Sequence, residues 1–543
     1  MSLLTIQRAY LIGAALVTWA GGLLVTAGTF LALGARPGWG SMAAATLFAL
    51  AAIYWIAGQL FPERRAAEMA RAIMIGAGIV ATSLLIASAV YDSSWDGQTY
   101  QAEGLLAIAD DWNPYRDPIS PGSAFGHWQV FHSKGAWLAQ GSIVAATGHP
   151  ETGKALNFVL AAASYVFALP ALVRIGVRRR PAILFGAALI ALNPVVTSQF
   201  FTYYVDGLLA SALAITVCLL IVFDEQPNWI AGIPLVMISL LVMSVKLHGA
   251  IYLTIIAFGF AAWYWMTRRQ GGRVLLACGL IVYLIGISLN ANPFFSHYGR
   301  RLVETGSPFS QDDLVSLNIY SNTPEAFRDR SWLEKFTVSL FSRYDYGRRV
   351  ELKIPLTLTV GEIGWMFDAR VSGFGPFFSG GIIFTVVAFA AGFRRRAVPP
   401  SLWAVLAVTA LSVLSSPEAW WARYVPQVWL IVVLIALLPL QRPGRWARLW
   451  QRAALATLTV NVIWMLAMAL MGAVNGNSLA TSTLAELRAR PPAQPIKIDF
   501  AGAALTRAHI DRAGIAYVAV DELPCLYENT ERLWPSPARI CSE

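Results

Sequence analysis

Apolar runs about as long as a bilayer is thick recur along this chain, and no other feature constrains its fold as much. A bilayer core of about 30 Å needs roughly 20 apolar residues wound as a helix. Thirteen stretches answer to that length, at about 10–33, 42–61, 72–91, 154–176, 181–201, 205–223, 229–246, 248–266, 274–292, 377–393, 398–417, 424–440 and 453–473. Only 13% of the 543 residues are charged and 57% are hydrophobic, whereas a soluble domain carries about 25% charged residues. A water-soluble multidomain enzyme, a disordered chain and a nucleic-acid scaffold are therefore excluded. The expected fold is mainly α, a polytopic transmembrane bundle of about thirteen spans. The first run is too long for the core of a cleavable signal peptide and is expected to remain as a membrane helix.

The net charge of +10 would suit a polyanion binder if it were spread over one surface. Instead it falls in short arginine clusters between apolar runs, the pattern of cytoplasmic anchoring. With the N-terminus inside, the inner segments hold Arg8, Arg64, Arg65, Arg71, Arg178–Arg180, Arg268, Arg269, Arg273, Arg394–Arg396, Arg442, Arg445, Arg448 and Arg452, 17 positive residues in all. The short outer turns hold only Arg36, Lys246 and Arg423. The inner turn at Asp224 and Glu225 lacks a basic residue, but acids weigh little in this rule. The 35 arginines against 6 lysines fit a GC-rich bacterium, so the expected location is a bacterial inner membrane.

Three long segments then face outward: about 92–153, about 293–376, and a tail from about 474. The second carries ten acidic and ten basic residues and has no bias toward polyanions. The chain divides into a membrane module, 1–473, and an outer C-terminal cap, 474–543. The tail opens with a polar stretch from Asn475 to Thr483, followed by Pro491, Pro492 and Pro495. Beyond that, IKIDF and IAYVAV read as short strands, with LTRAHIDRAG between them as a helix ending at Gly514. A small periplasmic α/β domain is expected. Cys525 and Cys541 lie in it and can pair in an oxidising compartment, while Cys218 and Cys278 lie in apolar runs as small hydrophobes.

The densest chemistry lies in VYDSSWDGQTYQAEGLLAIADDWNPYRDP, Val90 to Pro118, directly after the third span. Asp92 and Asp96 are four apart, and Tyr100 and Glu103 continue one face if the segment is helical. A carboxylate at the membrane rim can take a proton from an acceptor hydroxyl, or hold a divalent metal beside a phosphate. The plainer reading is a cap on an interfacial helix, with Trp95 and Tyr100 in the aromatic belt.

This loop, with D-S-S-W-D-G-Q-T-Y-Q and then W-N-P-Y, resembles the GT-C superfamily of membrane glycosyltransferases. Further likenesses are N-P-V-V-T-S-Q-F-F-T-Y-Y-V-D-G (Asn193 to Gly207), S-V-K-L-H-G (Ser244 to Gly249) and E-A-W-W-A-R-Y-V-P (Glu418 to Pro426). Together with the span layout they cover most of the chain, although each motif is loose by itself. The resemblance implies transfer of a sugar from a polyprenyl-phosphate carrier on the outer face, with an acidic residue of the first large outer loop as general base. That assigns Asp96 as the base. One departure is that the acidic loop follows the third span here rather than the first.

Other candidates share the outer face. Asp206, at the start of the sixth span, either caps and snorkels or joins Asp96 at a catalytic site. Lys246 and His248 occupy a tight turn between two spans, where a cation can grip a lipid phosphate as the sugar departs; an interfacial snorkelling lysine is the alternative. Arg423 offers the planar fork that holds phosphate through two hydrogen bonds, or simply pairs with Glu418 inside an aromatic belt. Asp92, Tyr100, Glu103 and Glu418 complete the candidate substrate contacts. Arg343, Tyr344, Asp345, Arg348 and Arg349 form a charged knot that reads first as an exposed loop. His127 and His132 are too poorly phased for metal ligation.

The expected function is an integral membrane glycosyltransferase moving a polyprenyl-phosphate-linked sugar to a glycan, lipid or protein acceptor. Membrane lipids are expected partners and nucleic acid is not; a divalent metal is the one candidate cofactor. Two alternatives stay open: a polysaccharide polymerase or ligase with lipid pyrophosphate donors, and a flippase that is not an enzyme. A transporter places its polar groups at the midplane, whereas here they crowd one end of the spans.

Overall fold

The computed structural model describes residues 1–224, 227–268, 271–290, 303–306, 322–343, 350–364, 367–392, 398–438, 444–490, 495–533 and 535–542. The protein is mainly helical. Its helices are α1 (Leu3–Ala32), α2 (Trp39–Leu60), α3 (Arg65–Ala89), α4 (Ala102–Ala109), α5 (Gly126–Phe131), α6 (Gly135–Thr147), α7 (Ala155–Arg174), α8 (Arg180–Ala191), α9 (Pro194–Gln199), α10 (Asp206–Phe223), α11 (Trp229–Val245), α12 (Leu247–Arg268) and α13 (Gly272–Asn290). After them come α14 (Trp332–Leu340), α15 (Phe378–Gly392), α16 (Pro400–Leu414), α17 (Gln427–Leu437), α18 (Arg445–Ala489) and α19 (Ala504–Arg512).

Every apolar run read from the sequence contains a helix. Among the described residues, eight helices are long and apolar enough to cross a membrane, and α8, α11, α15, α16 and α17 are shorter apolar ones. The protein is thus built as one that lies in a membrane. α10 forms the centre of the bundle and buries all of its residues except Val222, as a helix that is apolar all round must. The outer helices keep large apolar side chains exposed, among them Phe48, Leu85, Phe258, Leu284 and Val386, on surfaces that suit lipid.

Two expectations are corrected. The run 181–201 is not one helix. It breaks between α8 and α9 because Pro194 has no N–H to donate and disfavours a helical residue before it. Asn193 then caps the second piece, its Oδ1 accepting from Val195 N at 3.0 Å. The last expected span does not end near 473: α18 continues through the polar stretch from Asn475 and runs unbroken for 45 residues. Buried Gly472, Ala473, Gly476 and Ala480 recur on one side of it, so small residues carry the helical period where large apolar ones do not. A Cβ at Gly476 would stand 2.7 Å from Ser93, and Tyr91 N donates to Asn477 Oδ1 at 3.2 Å. The helix thereby braces the loop that follows α3.

Beyond α18 the tail forms a small α/β unit. β1 (Ile496–Ile498) and β2 (Tyr517–Ala519) pair in parallel across α19, and β3 (Thr530–Arg532) pairs antiparallel with β4 (Arg539–Cys541). Leu487, Ile498, Ala503, Ile510, Leu533, Ala538 and Ile540 make its own core. Cys525 and Cys541 are disulfide-bonded, and Cys218 and Cys278 are free and buried.

Candidate functional site

Five segments far apart in sequence end at the same end of the bundle and meet there. The loop after α3 brings Asp96, the first residue of α10 is Asp206, and Lys246 is the single extended residue between α11 and α12. The loop before α15 brings Asp368 and Arg370, and a short 3-10 turn after α16 brings Arg423. Two backbone bonds lock the last two together: Arg423 N donates to Ala369 O at 3.2 Å and Ala422 N to Arg370 O at 3.3 Å.

Arg423 is the hub. Its Nη1 lies 3.3 Å from Asp96 Oδ2 and 3.5 Å from Asp206 Oδ2, and its Nε lies 3.0 Å from Asp368 Oδ1. This last contact is close but poorly aligned, so Nε and Asp368 Oδ1 attract without a hydrogen bond. The guanidinium also faces the rings of Trp421 at 4.7 Å and Tyr204 at 5.0 Å. Lys246 Nζ donates to Asp206 Oδ1 at 2.6 Å, and Arg370 Nε to Asp368 Oδ2 at 2.5 Å. Three carboxylates thus face three cations, so the cluster is close to neutral and can be taken out of water.

The electrostatics follow from that burial. Desolvation disfavours the Arg423 charge, but Asp368, Asp206 and Asp96 prevail and hold it well above its ordinary value. Burial pushes the Asp96 carboxyl up from its ordinary value, against the pull of Arg423, and Asp368 adds to the rise. A carboxylate so placed is a stronger base than one in water. Tyr100 OH donates to Asp96 Oδ2 at 2.9 Å, and its own ionisation is suppressed by burial. Both neighbours of Asp96 use Oδ2; among the described residues none reaches Oδ1. The side chain keeps 12% of its surface open.

The remaining sequence candidates divide. His248 stacks on Tyr424 with ring centroids 5.1 Å apart, and the same ring lies 4.2 Å below Lys246 Nζ. Asp92 does not share the face of Asp96 and Tyr100, because residues 91–94 are not helical and winding begins only at Trp95, running into a wide π turn at Gly97–Gln101. Its Oδ1 accepts from Ser94 N and Oγ, and its Oδ2 from Tyr203 N at 2.6 Å. Asp92 is fully buried and its oxygens are taken by the chain itself, so it shapes the loop rather than meeting a substrate. Gly97 is required there, since a Cβ would stand 1.9 Å from Asp92 Oδ2.

Glu103 is likewise internal. It accepts from Ser123 Oγ, Ala124 N, Phe125 N and Gln129 Nε2 and ties down the loop before α5. Glu418 accepts from Trp420 Nε1 and is not the partner of Arg423. Of the charged knot only Arg343 lies within the described residues, paired with Glu351 at 3.0 Å; Tyr344, Asp345, Arg348 and Arg349 lie outside them, as does the side chain of His127. His132 stacks on Trp137, and burial brings its imidazole down to about 3, so it is neutral.

Asp368 and Arg370 complete the cluster and were not singled out from sequence; the Trp421 and Tyr424 rings, expected only as an aromatic belt, line it. Asp206 opens an apolar run, whereas Asp368 stands nine residues before the run at 377–393, in a long loop of balanced charge that hides it. As for a metal, among the described residues no three His, Cys, Asp or Glu side chains gather closely enough to hold one. The three aspartates converge instead on a guanidinium that already supplies the positive charge. Neither a model of a known protein family nor a curated protein matches this chain.

Proposed function

We propose that the protein is a GT-C-type glycosyltransferase that takes its sugar from a polyprenyl-phosphate carrier. On this reading thirteen helices cross a bacterial inner membrane, the N-terminus is cytoplasmic, and the Asp96–Arg423 end and the C-terminal α/β unit face the periplasm. The observation that carries the proposal is Asp96: a buried carboxylate of raised basicity, with one oxygen held by Tyr100 and Arg423 and the other unclaimed among the described residues, in a cluster where Asp206 links Arg423 to Lys246.

Asp96 Oδ1 accepts the proton of the acceptor hydroxyl while that oxygen attacks the anomeric carbon. The bond from that carbon to the phosphate oxygen breaks, and the polyprenyl phosphate leaves with the electron pair. Lys246, whose side chain is 18% exposed, meets the departing phosphate first. Arg423 adds charge from behind, at the expense of its contacts with the aspartates. Charge stabilisation of this kind, stronger in the transition state than before it, is worth about 2–4 kcal/mol per donor.

The test is reconstitution of the purified protein in vesicles with radiolabelled polyprenyl monophosphate sugar, and in parallel with the pyrophosphate-linked sugar. Transfer from the monophosphate alone supports the proposal. Transfer from the pyrophosphate alone favours a polymerase or ligase, and label that only changes leaflet marks a flippase.

A further inference from the structure

Segment 352–363, in the loop leading to Asp368, has its polarity inside out. Leu352, Ile354, Leu356, Leu358, Val360 and Ile363 are exposed, Ile354 by 76% and Val360 by 84%. Lys353 and Glu362, the two charged residues in the same stretch, are turned inward with side chains 3% and 1% exposed and are paired with each other. A loop bathed in water does the opposite, because a solvated charge is cheap and an exposed leucine is not.

The side-chain hydroxyls of the segment find partners within it, although Thr357 itself is exposed and Thr359 half-buried. Thr357 Oγ1 donates to Ile354 O at 2.6 Å. Glu362 Oε2 accepts from Thr359 N at 3.0 Å and from Thr359 Oγ1 at 3.1 Å. Lys353 N donates to Phe341 O at 3.0 Å, and a bridge from Ser342 to Leu352 ties the segment to the end of α14. Internal satisfaction of polar groups is what a hydrocarbon surrounding demands and water does not.

The segment also sits where lipid begins. Leu356 holds a left-handed backbone, φ 71°, and lies against Gly380 in the first turn of α15, where a Cβ would stand 2.2 Å from its Cδ2. From there the exposed apolar surface continues down α15 through Ile383, Val386 and Val387, on a helix packed along the membrane-length α18.

We propose that segment 352–363 dips into the membrane at the site's end of the bundle, its apolar side chains seated among the upper acyl chains. The occupant of this face is the bilayer itself, because the exposed row carries no charge and runs without a break into the lipid-facing side of α15. Insertion is shallow, at the headgroup–acyl boundary, since the segment is not a regular helix or a closed sheet. The loop thereby anchors the strand of chain that presents Asp368 and Arg370 to Arg423 and holds that part of the site at the lipid boundary. This holds whatever reaction the site performs.

The test is depth-dependent quenching in reconstituted vesicles. Ile354→Cys and Val360→Cys are each labelled with a thiol fluorophore; the native Cys218 and Cys278 are buried and Cys525 is bonded to Cys541, so they do not compete. Lys497→Cys, on the exposed side of β1, is the water-side reference. Both loop labels should lose most of their emission with lipids brominated near the top of the acyl chain and little with aqueous iodide, and Lys497→Cys the reverse. Iodide quenching at both loop sites without bromolipid quenching overturns the proposal. Shielding from both quenchers assigns the face to a second copy of this chain and overturns it too. Each position is exposed, and a monodisperse gel-filtration peak verifies that the variants fold. Sugar transfer is not part of the readout, so this inference and the glycosyltransferase reading fail separately.

Discussion

Arg423 Nη1 stands 3.3 Å from Asp96 Oδ2, across 327 positions of sequence. The same guanidinium touches Asp206 and Asp368, so one side chain closes a knot of three carboxylates drawn from three segments, Asp96 and Asp206 buried and Asp368 half-buried.

Removing that side chain should therefore damage stability as well as function. Breaking a buried ion pair by deleting one partner costs about 3–5 kcal/mol, and Arg423→Ala leaves Asp96 without its cation. Thermal unfolding in detergent should show a clear drop for Arg423→Ala. Arg423→Lys should fall less, since a lysine keeps the charge but cannot present a planar fork to three carboxylates. An unchanged midpoint in Arg423→Ala would mean that the carboxylates do not need it.

Lys246 has a narrower role: it pairs with one aspartate, Asp206, lies over the Tyr424 ring and is partly exposed. Lys246→Ala should fold and should lower sugar transfer about 30–900-fold in vesicles, the effect of one lost phosphate contact of about 2–4 kcal/mol. Wild-type transfer by a well-folded Lys246→Ala protein would leave this lysine as an interface anchor.

Asp92 predicts a pH dependence of stability. Burial pushes its carboxyl up to about 7, against the pull of Lys154, from an unfolded value of about 3.9. Between those values the unfolded chain releases the proton while the folded protein keeps it, so stability falls as pH rises through the window and levels off above about 7. The full effect is on the order of 4 kcal/mol. Asp92→Asn cannot ionise and should flatten the unfolding midpoint between about pH 4 and 7, the window those two values set. Parallel curves for both proteins would place the titration elsewhere.

How far the sequence reading reached depends on what each residue had to signal. Apolar length alone located a helix in every expected span, and the alternation in IKIDF and the glycine that ends LTRAHIDRAG marked the tail unit. The extension of α18 past Asn475 escaped, because its buried face is glycine and alanine, and small residues carry no hydropathy period. Asp96, Asp206, Lys246 and Arg423 were legible as charges at span ends, where a charge needs a reason. Asp92 and Glu103 have the same chemistry and similar spacing; only the non-helical stretch 91–94 and the backbone donors of Ser94, Tyr203 and Ala124 show that their oxygens are used internally. The pairing of Arg423 with aspartates rather than Glu418 is a fact of tertiary contact that no local pattern encodes.

Orientation rests on the 17 positive residues against 3 at opposite ends of the spans. A C-terminal alkaline phosphatase fusion should be active in a bacterial host and a C-terminal fluorescent protein dark. The reverse pair of results would put the Asp96–Arg423 end in the cytoplasm and remove the lipid-linked donor from its reach.

The most direct test of the central claim is transfer of labelled sugar from its polyprenyl monophosphate by purified, reconstituted Asp96→Asn protein beside wild type. Asparagine keeps the shape and an oxygen for Tyr100 but cannot accept the acceptor's proton. Wild type should transfer sugar, and Asp96→Asn should be slower by about 10²–10⁴-fold while remaining folded and able to retain the donor. Equal rates for the two proteins would contradict the assignment of Asp96 as the base and with it the reading of this site.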